Sequence, residues 1–259
     1  MAVHEELLDV RGARIPILRA GSGDPLLYLH SVLGEVRWLP FFDILSRNFT
    51  VYLSAHPGFA GAEGLERIDT IHDLVFHYID LLDALGLAEP YLVGLCLGGW
   101  LAAEFAVHYA HRVSKLVLID AMGLNVPGHF IPDLFAANPS ETRSMLFTNP
   151  ESEVGNSFVS DAPSEKTLDL MLTARQAAAR IAWNPYLHDP RLQERLYRVT
   201  APCLVLWGEK DELLPVEYGR LYEQNIKNAQ LSIVKGCGHL PPLEKPEETA
   251  RYVTEFLKS

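Results

Sequence analysis

The chain has 259 residues, of which 48% are hydrophobic and 21% charged; this composition is typical of a soluble globular protein and leaves room for one α/β domain plus an insertion. Lys and Arg number 22 and Asp and Glu 33, a formal net charge of −11, which argues against nucleic acid or an anionic membrane as partners because both need clustered basic residues. Apolar runs fall short of the roughly 18 residues of a membrane span. The first six residues lack a secretory signal, and three cysteines make no disulfide framework, so we expect a cytoplasmic location.

Predicted strands and helices alternate along both ends of the chain. Loose alternation predicts two opening strands within residues 5–21, joined by a turn at Arg11-Gly12. Continuous apolar runs predict buried strands at 25–30, 49–53, 91–93, 115–120, 203–207 and 229–235. Three-to-four spacing of apolar residues predicts helices over 71–85, 99–110, 215–226 and 245–258.

This alternation predicts parallel βαβ units and a doubly wound, mostly parallel sheet. It breaks between residues 121 and 200, where only helical patterns occur. Residues 1–120 and 201–259 are therefore predicted to form the α/β core, and 121–200 a helical cap beyond the strand ends, where an open α/β sheet binds its ligand. The alternative is a helical excursion that serves only packing.

The stretch Gly94-Leu95-Cys96-Leu97-Gly98-Gly99 lies directly between a predicted strand and a predicted helix. It predicts a strained turn with Cys96 at its tip, where small residues are needed because there is no room for Cβ atoms. A helix N-terminus and a nearby imidazolium both favour a thiolate. A thiolate also needs less help from a general base than a serine hydroxyl does.

Five motifs in order carry a resemblance that covers nearly the whole chain: His30, the turn Pro57-Gly58-Phe59-Ala60-Gly61, the 94–99 stretch, Gly208-Glu209-Lys210-Asp211 and Gly238-His239. In these the chain resembles the α/β-hydrolase superfamily, and specifically capped members such as meta-cleavage product hydrolases, cofactor-free haloperoxidases and small carboxylesterases. The Gly-x-Cys-x-Gly-Gly string is similar to dienelactone hydrolases, which also use cysteine. Those enzymes lack a helical cap of this size, so that likeness is local.

The resemblance implies a triad in the chain order Cys96, Asp211, His239. His239 would take the proton from Cys96, and Asp211 would hold the imidazole tautomer and stabilise the imidazolium. Two other acids compete for the role of Asp211. Glu209 lies two residues earlier, on the wrong side of the turn, and Asp120 ends a strand, where a structural cap is the simpler interpretation.

The developing oxyanion needs two N–H donors, which we assign to Leu97, after the nucleophile, and Val32, in the loop after the third strand. Relatives have His-Gly-x in that loop, and this chain has His30-Ser31-Val32. His30 is expected to brace the loop. Ser31 replaces the glycine, adds a hydroxyl near the oxyanion and is counted among the expected substrate contacts.

Aromatic residues near the elbow and in the cap predict a small-molecule substrate with an apolar acyl or aryl group, unless they only form the cap's core. The predicted contacts are Trp100, Phe130, Phe135 and Trp183. Arg37 could meet a substrate carboxylate or be a solvated surface residue. Ten histidines without carboxylates at ligand spacing, and no phosphate-binding loop, predict neither a metal nor a cofactor.

The leading functional hypothesis is a hydrolase of carboxylic esters, lactones or thioesters that forms an S-acyl intermediate on Cys96. Transfer of the acyl group to an amine or thiol is a close variant, and carbon–carbon bond hydrolysis is a variant that the resemblance implies. Two alternatives stay open: a serine-type hydrolase whose nucleophile has been replaced by cysteine, and a non-catalytic receptor on the same fold. The sequence does not fix the oligomeric state and is compatible with a homodimer.

Overall fold

The computed structural model describes residues 2–259, so Met1, which the signal-peptide argument includes, lies outside the described residues. Within these residues eight strands form one sheet in the order β1-β2-β4-β3-β5-β6-β7-β8. The strands are β1 (His4–Val10), β2 (Ala13–Ala20), β3 (Pro25–Leu29), β4 (Thr50–Ser54), β5 (Tyr91–Leu95), β6 (Leu116–Ile119), β7 (Cys203–Gly208) and β8 (Ala229–Val234).

The sheet is parallel from β4 across to β8, while β2 pairs antiparallel with both β1 and β4. This is the mostly parallel sheet that the alternating pattern predicts. Parallel strands present their carboxyl ends along one edge, and an open α/β sheet binds ligands there. The segments that follow β3, β5, β7 and β8, and with them the motif residues, therefore meet at one edge.

The helices are α1 (Pro40–Leu45), α2 (Ile71–Leu85), α3 (Leu97–His108), α4 (Pro139–Leu146), α5 (Glu153–Phe158), α6 (Glu165–Ala182), α7 (Leu192–Arg195), α8 (Val216–Asn225), α9 (Pro241–Glu244) and α10 (Pro246–Lys258). The four predicted helices, 71–85, 99–110, 215–226 and 245–258, lie within two residues of α2, α3, α8 and α10, and the part of the chain that the structure describes adds six further helices. α2 starts with a reciprocal capping box between Thr70 and Asp73 and ends at Gly86, whose φ of 68° is left-handed. No helix in residues 2–259 combines the length and apolar character needed to cross a bilayer.

Between β6 and β7 the chain forms α4 to α7 and, in its described residues, no strand beyond an isolated bridge of Gly123 with His188. Residues 121–200 are called the insertion below. Its longest helix, α6, leaves Leu168 and Leu172 44% and 56% exposed. By contrast, every residue of α3 from Leu97 to Val107 is buried. The main hydrophobic core therefore lies around β5, β6 and α3, under the predicted elbow.

Candidate active site

Cys96 lies at the junction of β5 and α3 in a strained conformation. Its φ of 55° and ψ of −112° are left-handed, which is unusual for a residue with a Cβ atom. Two backbone contacts hold it there: its N–H donates to the carbonyl of Ile119 at 2.9 Å, and its carbonyl accepts from the N–H of Met122 at 3.1 Å. This is the geometry of a nucleophile elbow, which lifts one side chain above the sheet edge.

Glycine is required on both sides of the elbow because backbone atoms crowd the positions that a Cβ would occupy. A Cβ on Gly94 would lie 2.2 Å from the carbonyl oxygen of Gly98. One on Gly98 would lie 2.1 Å from the carbonyl oxygen of Leu29, in β3. The prediction that the turn leaves no room for side chains is confirmed, and the contact with β3 gives the cause.

His239 is fully buried in the loop after β8 and is oriented by Asp211. Its Nδ1 lies 2.7 Å from Oδ2 of Asp211, whose Oδ1 accepts the N–H groups of Leu213 and Leu214 at 2.9 Å each. Nδ1 therefore carries a proton shared with Asp211, and Nε2 makes no geometrically good hydrogen bond within residues 2–259, so it is the nitrogen left to exchange a proton with a nucleophile. Burial alone lowers the pKa of His239, but the Asp211 carboxylate and the neighbouring Cys96 sulfur hold that pKa well above its ordinary value.

Asp211 and His239 are in contact, and Cys96 lies at the same sheet edge. That the three act as a triad stays a prediction. The sulfur of Cys96 is close enough to the imidazole to influence its pKa. All three side chains are removed from bulk water, and Cys96 and His239 have no exposed surface at all. Low local polarity strengthens interactions between a thiolate and an imidazolium.

The two competing acids have other partners. Asp120, at the end of β6, accepts the N–H of Gly208 at 2.9 Å, and Glu209 accepts the N–H of Gly236 at 2.8 Å. Asp120 nevertheless places a carboxylate oxygen within 4.8 Å of ligand atoms of Asp211 and His239. Burial, and then the charge of Asp211, raise the pKa of Asp120 well above its ordinary range. Burial therefore favours the neutral form of Asp120 beside the Asp211–His239 pair.

The loop after β3 supplies the second predicted N–H donor. Neither the main-chain N–H of Val32 nor that of Leu97 donates a hydrogen bond to any residue between positions 2 and 259. Unpaired N–H groups beside a nucleophile are what an oxyanion hole requires. Both donors remain a prediction, which this absence of partners supports.

Two buried side chains hold the loop after β3 in place. Nδ1 of His30 lies 2.8 Å from the carbonyl oxygen of Ser31, and Nε2 accepts the N–H of His56 at 2.9 Å. Burial lowers the pKa of His30 to about 4, so the ring is neutral near pH 7. His30 therefore braces the loop as expected.

Glu35 is a buried residue of the site that the sequence reasoning missed. It accepts the N–H of Ser31 at 2.6 Å and also the Ser31 hydroxyl. Burial raises the pKa of Glu35, while the contacts with Ser31 and the nearby His239 oppose that rise. The four-residue spacing of Ser31 and Glu35 is the only local signal for this pair, and it is weak in a loop.

A cavity of about 300 Å³ lies between this loop and the insertion. Its lining is mostly apolar, from Val32 and Leu33 on one side and residues of α4 to α6 and their connections on the other. Phe135, predicted as a substrate contact, lines it. The charged side chains among the lining residues are Asp161 and Arg175, so the cavity suits an apolar group with at most one charged end.

The other predicted substrate contacts lie elsewhere. The Trp100 ring is buried under Gly123, and its Nε1–H donates to Glu104 at 3.2 Å, because its position on α3 faces away from the cavity. Phe130 lies in a surface loop and is 82% exposed. Trp183 is 57% exposed at the end of α6 and packs against Phe135 from outside. Ser31 points its hydroxyl at Glu35 instead of the cavity.

Comparison with known proteins places the chain among hydrolases. The model of a family described as "Alpha/beta hydrolase family" matches residues 21–252. The chain belongs to this family. This α/β-hydrolase is 30% identical to a 2-hydroxy-6-oxononadienedioate/2-hydroxy-6-oxononatrienedioate hydrolase of Burkholderia vietnamiensis, over 92% of this chain and 88% of that protein.

Solved structures confirm the α/β-hydrolase fold. A 2-hydroxy-6-oxo-6-phenylhexa-2,4-dienoate hydrolase from Rhodococcus is 20% identical with a TM-score of 0.81, covering 100% of this chain and 99% of that one. The carboxylesterase CesB of Bacillus subtilis is 22% identical with a TM-score of 0.76, covering 99% and 92%. The relatives named are hydrolases, so the chain is an enzyme of that class and the receptor hypothesis is set aside.

Proposed function

We propose that this α/β-hydrolase cleaves carboxylic ester bonds, including lactones and thioesters, with Cys96 as nucleophile, His239 as base and Asp211 as the acid that orients the base. The observation that carries the proposal is the buried Nε2 of His239, which has no other hydrogen-bond partner within residues 2–259 and whose pKa is raised by Asp211 and by the sulfur of a strained elbow cysteine. A base held in one tautomer next to a nucleophile is the recurring signature of covalent catalysis.

In the first half-reaction His239 Nε2 takes the proton of the Cys96 thiol, and the thiolate attacks the carbonyl carbon. The negative oxygen that forms accepts hydrogen bonds from the N–H groups of Val32 and Leu97. As the C–O bond breaks, the imidazolium returns its proton to the departing alkoxide. The products of this step are an alcohol and an S-acyl Cys96.

In the second half-reaction His239 removes a proton from a water molecule, which attacks the thioester carbon. Collapse of the tetrahedral intermediate releases the carboxylic acid, and the imidazolium returns its proton to the Cys96 sulfur. Because thioesters react readily with amines and thiols, an acceptor other than water would give acyl transfer by the same steps. Asp211 stabilises the imidazolium in both half-reactions without itself becoming protonated.

The acyl group is proposed to occupy the 300 Å³ cavity next to Val32. Its apolar lining favours an aliphatic or aryl acyl chain over a polar one. A reducing compartment such as the cytoplasm suits this chemistry, because all three cysteines of the chain are free thiols and such thiols persist where disulfides do not form.

Hydrolysis of a carbon–carbon bond is the second candidate, and the named relatives favour it, since they act on 2-hydroxy-6-oxo-dienoates. Such substrates carry a carboxylate, and two arginines lie near the cavity. Arg175 lines it directly, and Arg37 stacks 3.6 Å over the ring of Phe158, another lining residue. These cations are the features that an acidic substrate would use.

The deciding experiment compares wild type with Cys96→Ala, Cys96→Ser and the control Cys203→Ala on p-nitrophenyl butyrate and on a 2-hydroxy-6-oxo-2,4-dienoate. Cys203 is a matched control because it is equally buried but lies within β7. We expect Cys96→Ala to lose about a thousandfold or more in kcat and Cys203→Ala to keep its activity. Intact-mass analysis should find one acyl adduct on wild type and none on Cys96→Ala.

Each other outcome has a defined meaning. Equal activity of Cys96→Ala and wild type would refute the triad. A Cys96→Ser variant much faster than wild type would indicate that cysteine stands where a serine enzyme has its nucleophile. Turnover of the dienoate but not of the ester would transfer the proposal to carbon–carbon bond hydrolysis.

A further inference from the structure

A second cluster of ionisable side chains lies where α2, α3 and the end of the insertion meet. His72 comes from the first turn of α2, Glu104 and His108 from successive turns of α3, and Asp189 from the segment before α7. Nε2 of His72 lies 3.7 Å from Oε2 of Glu104 and 3.8 Å from Oδ2 of Asp189. Nδ1 of His108 lies 3.9 Å from the same Glu104 oxygen.

Glu104 is the unusual member because it is a fully buried carboxyl group with one oxygen left over. Its Oε1 accepts the indole N–H of Trp100, but Oε2 has no hydrogen-bond partner in the part of the chain that the structure describes. A buried polar atom without a partner is costly and rare in native proteins.

The two histidines lie next to the unpartnered oxygen of Glu104. No hydrogen bond within residues 2–259 occupies Nε2 of His72, which is therefore free to bind a ligand. The side chains of His72 and His108 are 37% and 38% exposed, which leaves an approach from solvent. The cluster therefore has a buried anionic end and an open end lined by imidazole.

We propose that His72, Glu104 and His108 bind one divalent transition-metal ion of the Zn²⁺ type, with Asp189 or water completing the coordination. One ligand atom from each of the first three residues lies within 4.8 Å of the others. Tetrahedral ligands at about 2.0–2.2 Å from Zn²⁺ are about 3.3 Å apart. The 3.7 Å separation of His72 Nε2 from Glu104 Oε2 needs to shrink by only about half an ångström. Nδ1 of His108 lies 2.9 Å from the Glu104 carbonyl oxygen, so His108 binds the ion through Nε2 or by giving up that contact.

Through Asp189, this site connects the core to the insertion. Its N–H donates to the carbonyl of Gly123 at 3.1 Å, at the base of the insertion, and its carboxylate also accepts from Arg195 at 3.2 Å. The Arg195 cation opposes a metal at Asp189, which is why Asp189 is given the exchangeable position. The site is separate from the elbow: Glu104 lies eight positions after Cys96, about 12 Å along the helix axis.

The test measures Co²⁺ and Zn²⁺ binding to full-length protein in a Cys96→Ala background, which removes the active-site thiol as a competing ligand. His72→Ala and Glu104→Gln are made in that background, with His111→Ala as a control because His111 is an exposed histidine outside the cluster. We expect one Co²⁺ per chain by equilibrium dialysis, visible absorption of tetrahedral Co²⁺ that Zn²⁺ displaces, and a higher Tm with Zn²⁺. His72→Ala and Glu104→Gln should weaken binding by about tenfold or more, and His111→Ala should not.

The proposal fails if the Cys96→Ala protein takes up no Co²⁺ at about 1 mM. It also fails if His72→Ala binds Co²⁺ as tightly as its parent, or if sulfur-to-cobalt charge-transfer bands show that Cys203 or Cys237 holds the ion. Circular dichroism without metal checks folding. Should the buried Glu104→Gln variant unfold, the partly exposed His72→Ala variant decides the result.

Discussion

The α/β core and the insertion meet at the cavity but differ in how far their side chains are buried and how closely the backbone crowds them. Around Cys96 every side chain of the triad is buried, and backbone atoms crowd the elbow so closely that two positions accept only glycine. On the insertion, Phe130 and Leu172 are mostly exposed, and the cavity wall consists mainly of apolar side chains. The contrast suggests that the backbone of the core sets the chemistry and that exchangeable side chains of the insertion set the substrate.

Loss of the Asp211 carboxylate, which contacts the His239 imidazole, should have the largest effect on kcat. Asp211→Asn removes the charge that fixes the His239 tautomer and stabilises its charged form, so we expect kcat to fall by about 10⁴. Asp120→Asn is the matched control, since Asp120 is a buried carboxyl next to the same pair that accepts the N–H of Gly208 instead of orienting His239, and it should lose less than about tenfold. Steady-state kinetics on p-nitrophenyl butyrate checks this. Equal losses in both variants would mean that the two acids share the role.

Crowding at the elbow should give the next largest effect. Gly98→Ala places a Cβ 2.1 Å from a β3 carbonyl oxygen, whereas Gly128→Ala, in the insertion, meets no atom within 4 Å and only bears its left-handed φ of 83°. We expect Gly98→Ala to lose about 3 kcal/mol or more of unfolding free energy and Gly128→Ala about 1 kcal/mol. Urea denaturation measures both, and equal losses would contradict the contrast between the two regions.

Acid should lower the stability of the core through the partly buried His77. Burial lowers the pKa of His77, on α2, to about 4 in the folded state, against 6.5 as its ordinary value. The unfolded chain therefore binds the proton first, so this contribution to stability is complete above pH 6.5 and is lost as the pH falls toward 4. When the pH falls from 7 to 5, the free energy of unfolding of His77→Gln should decrease by about 1–2 kcal/mol less than that of wild type. Urea titrations at both pH values decide, and parallel curves would refute the assignment.

Side chains of the insertion should have the smallest effect and alter selectivity alone. Met171→Ala enlarges the cavity that Met171 lines, so the preference for p-nitrophenyl octanoate over butyrate should rise by about tenfold in kcat/KM. Leu170→Ala is the control, because Leu170 is exposed and not among the lining residues. A large change in kcat for both esters would show that the insertion takes part in the chemistry.

Much of the core could be predicted because its signals are local. The pair Thr70 and Gly86 marks both ends of α2, and the crowded Gly94 and Gly98 identify the elbow. The order of Cys96, Asp211 and His239 was enough to place them together, since the carboxyl ends of parallel strands share one edge.

The features that escaped prediction depend on contacts between distant segments. Helical spacing alone does not tell whether Trp100 faces the cavity or Gly123, and an aromatic residue such as Phe130 carries no sign of being 82% exposed. The expectation of no metal site considered histidines near carboxylates in the sequence. Glu104 and His108 are four residues apart on α3, but His72 and Asp189 come from two other segments, so the spacing along the sequence shows only half of this cluster.

The complete burial of Cys96 has a kinetic consequence. A thiol with no exposed surface meets an alkylating reagent only during excursions in which the overlying segments move aside. The labelling rate of Cys96 therefore reports how often the site opens. A bulky maleimide should react more slowly than a small haloacetamide, because it needs a wider and rarer opening. An inhibitor that fills the cavity would slow the labelling by both reagents, so the alkylation rate of one sulfur atom measures how often the site opens.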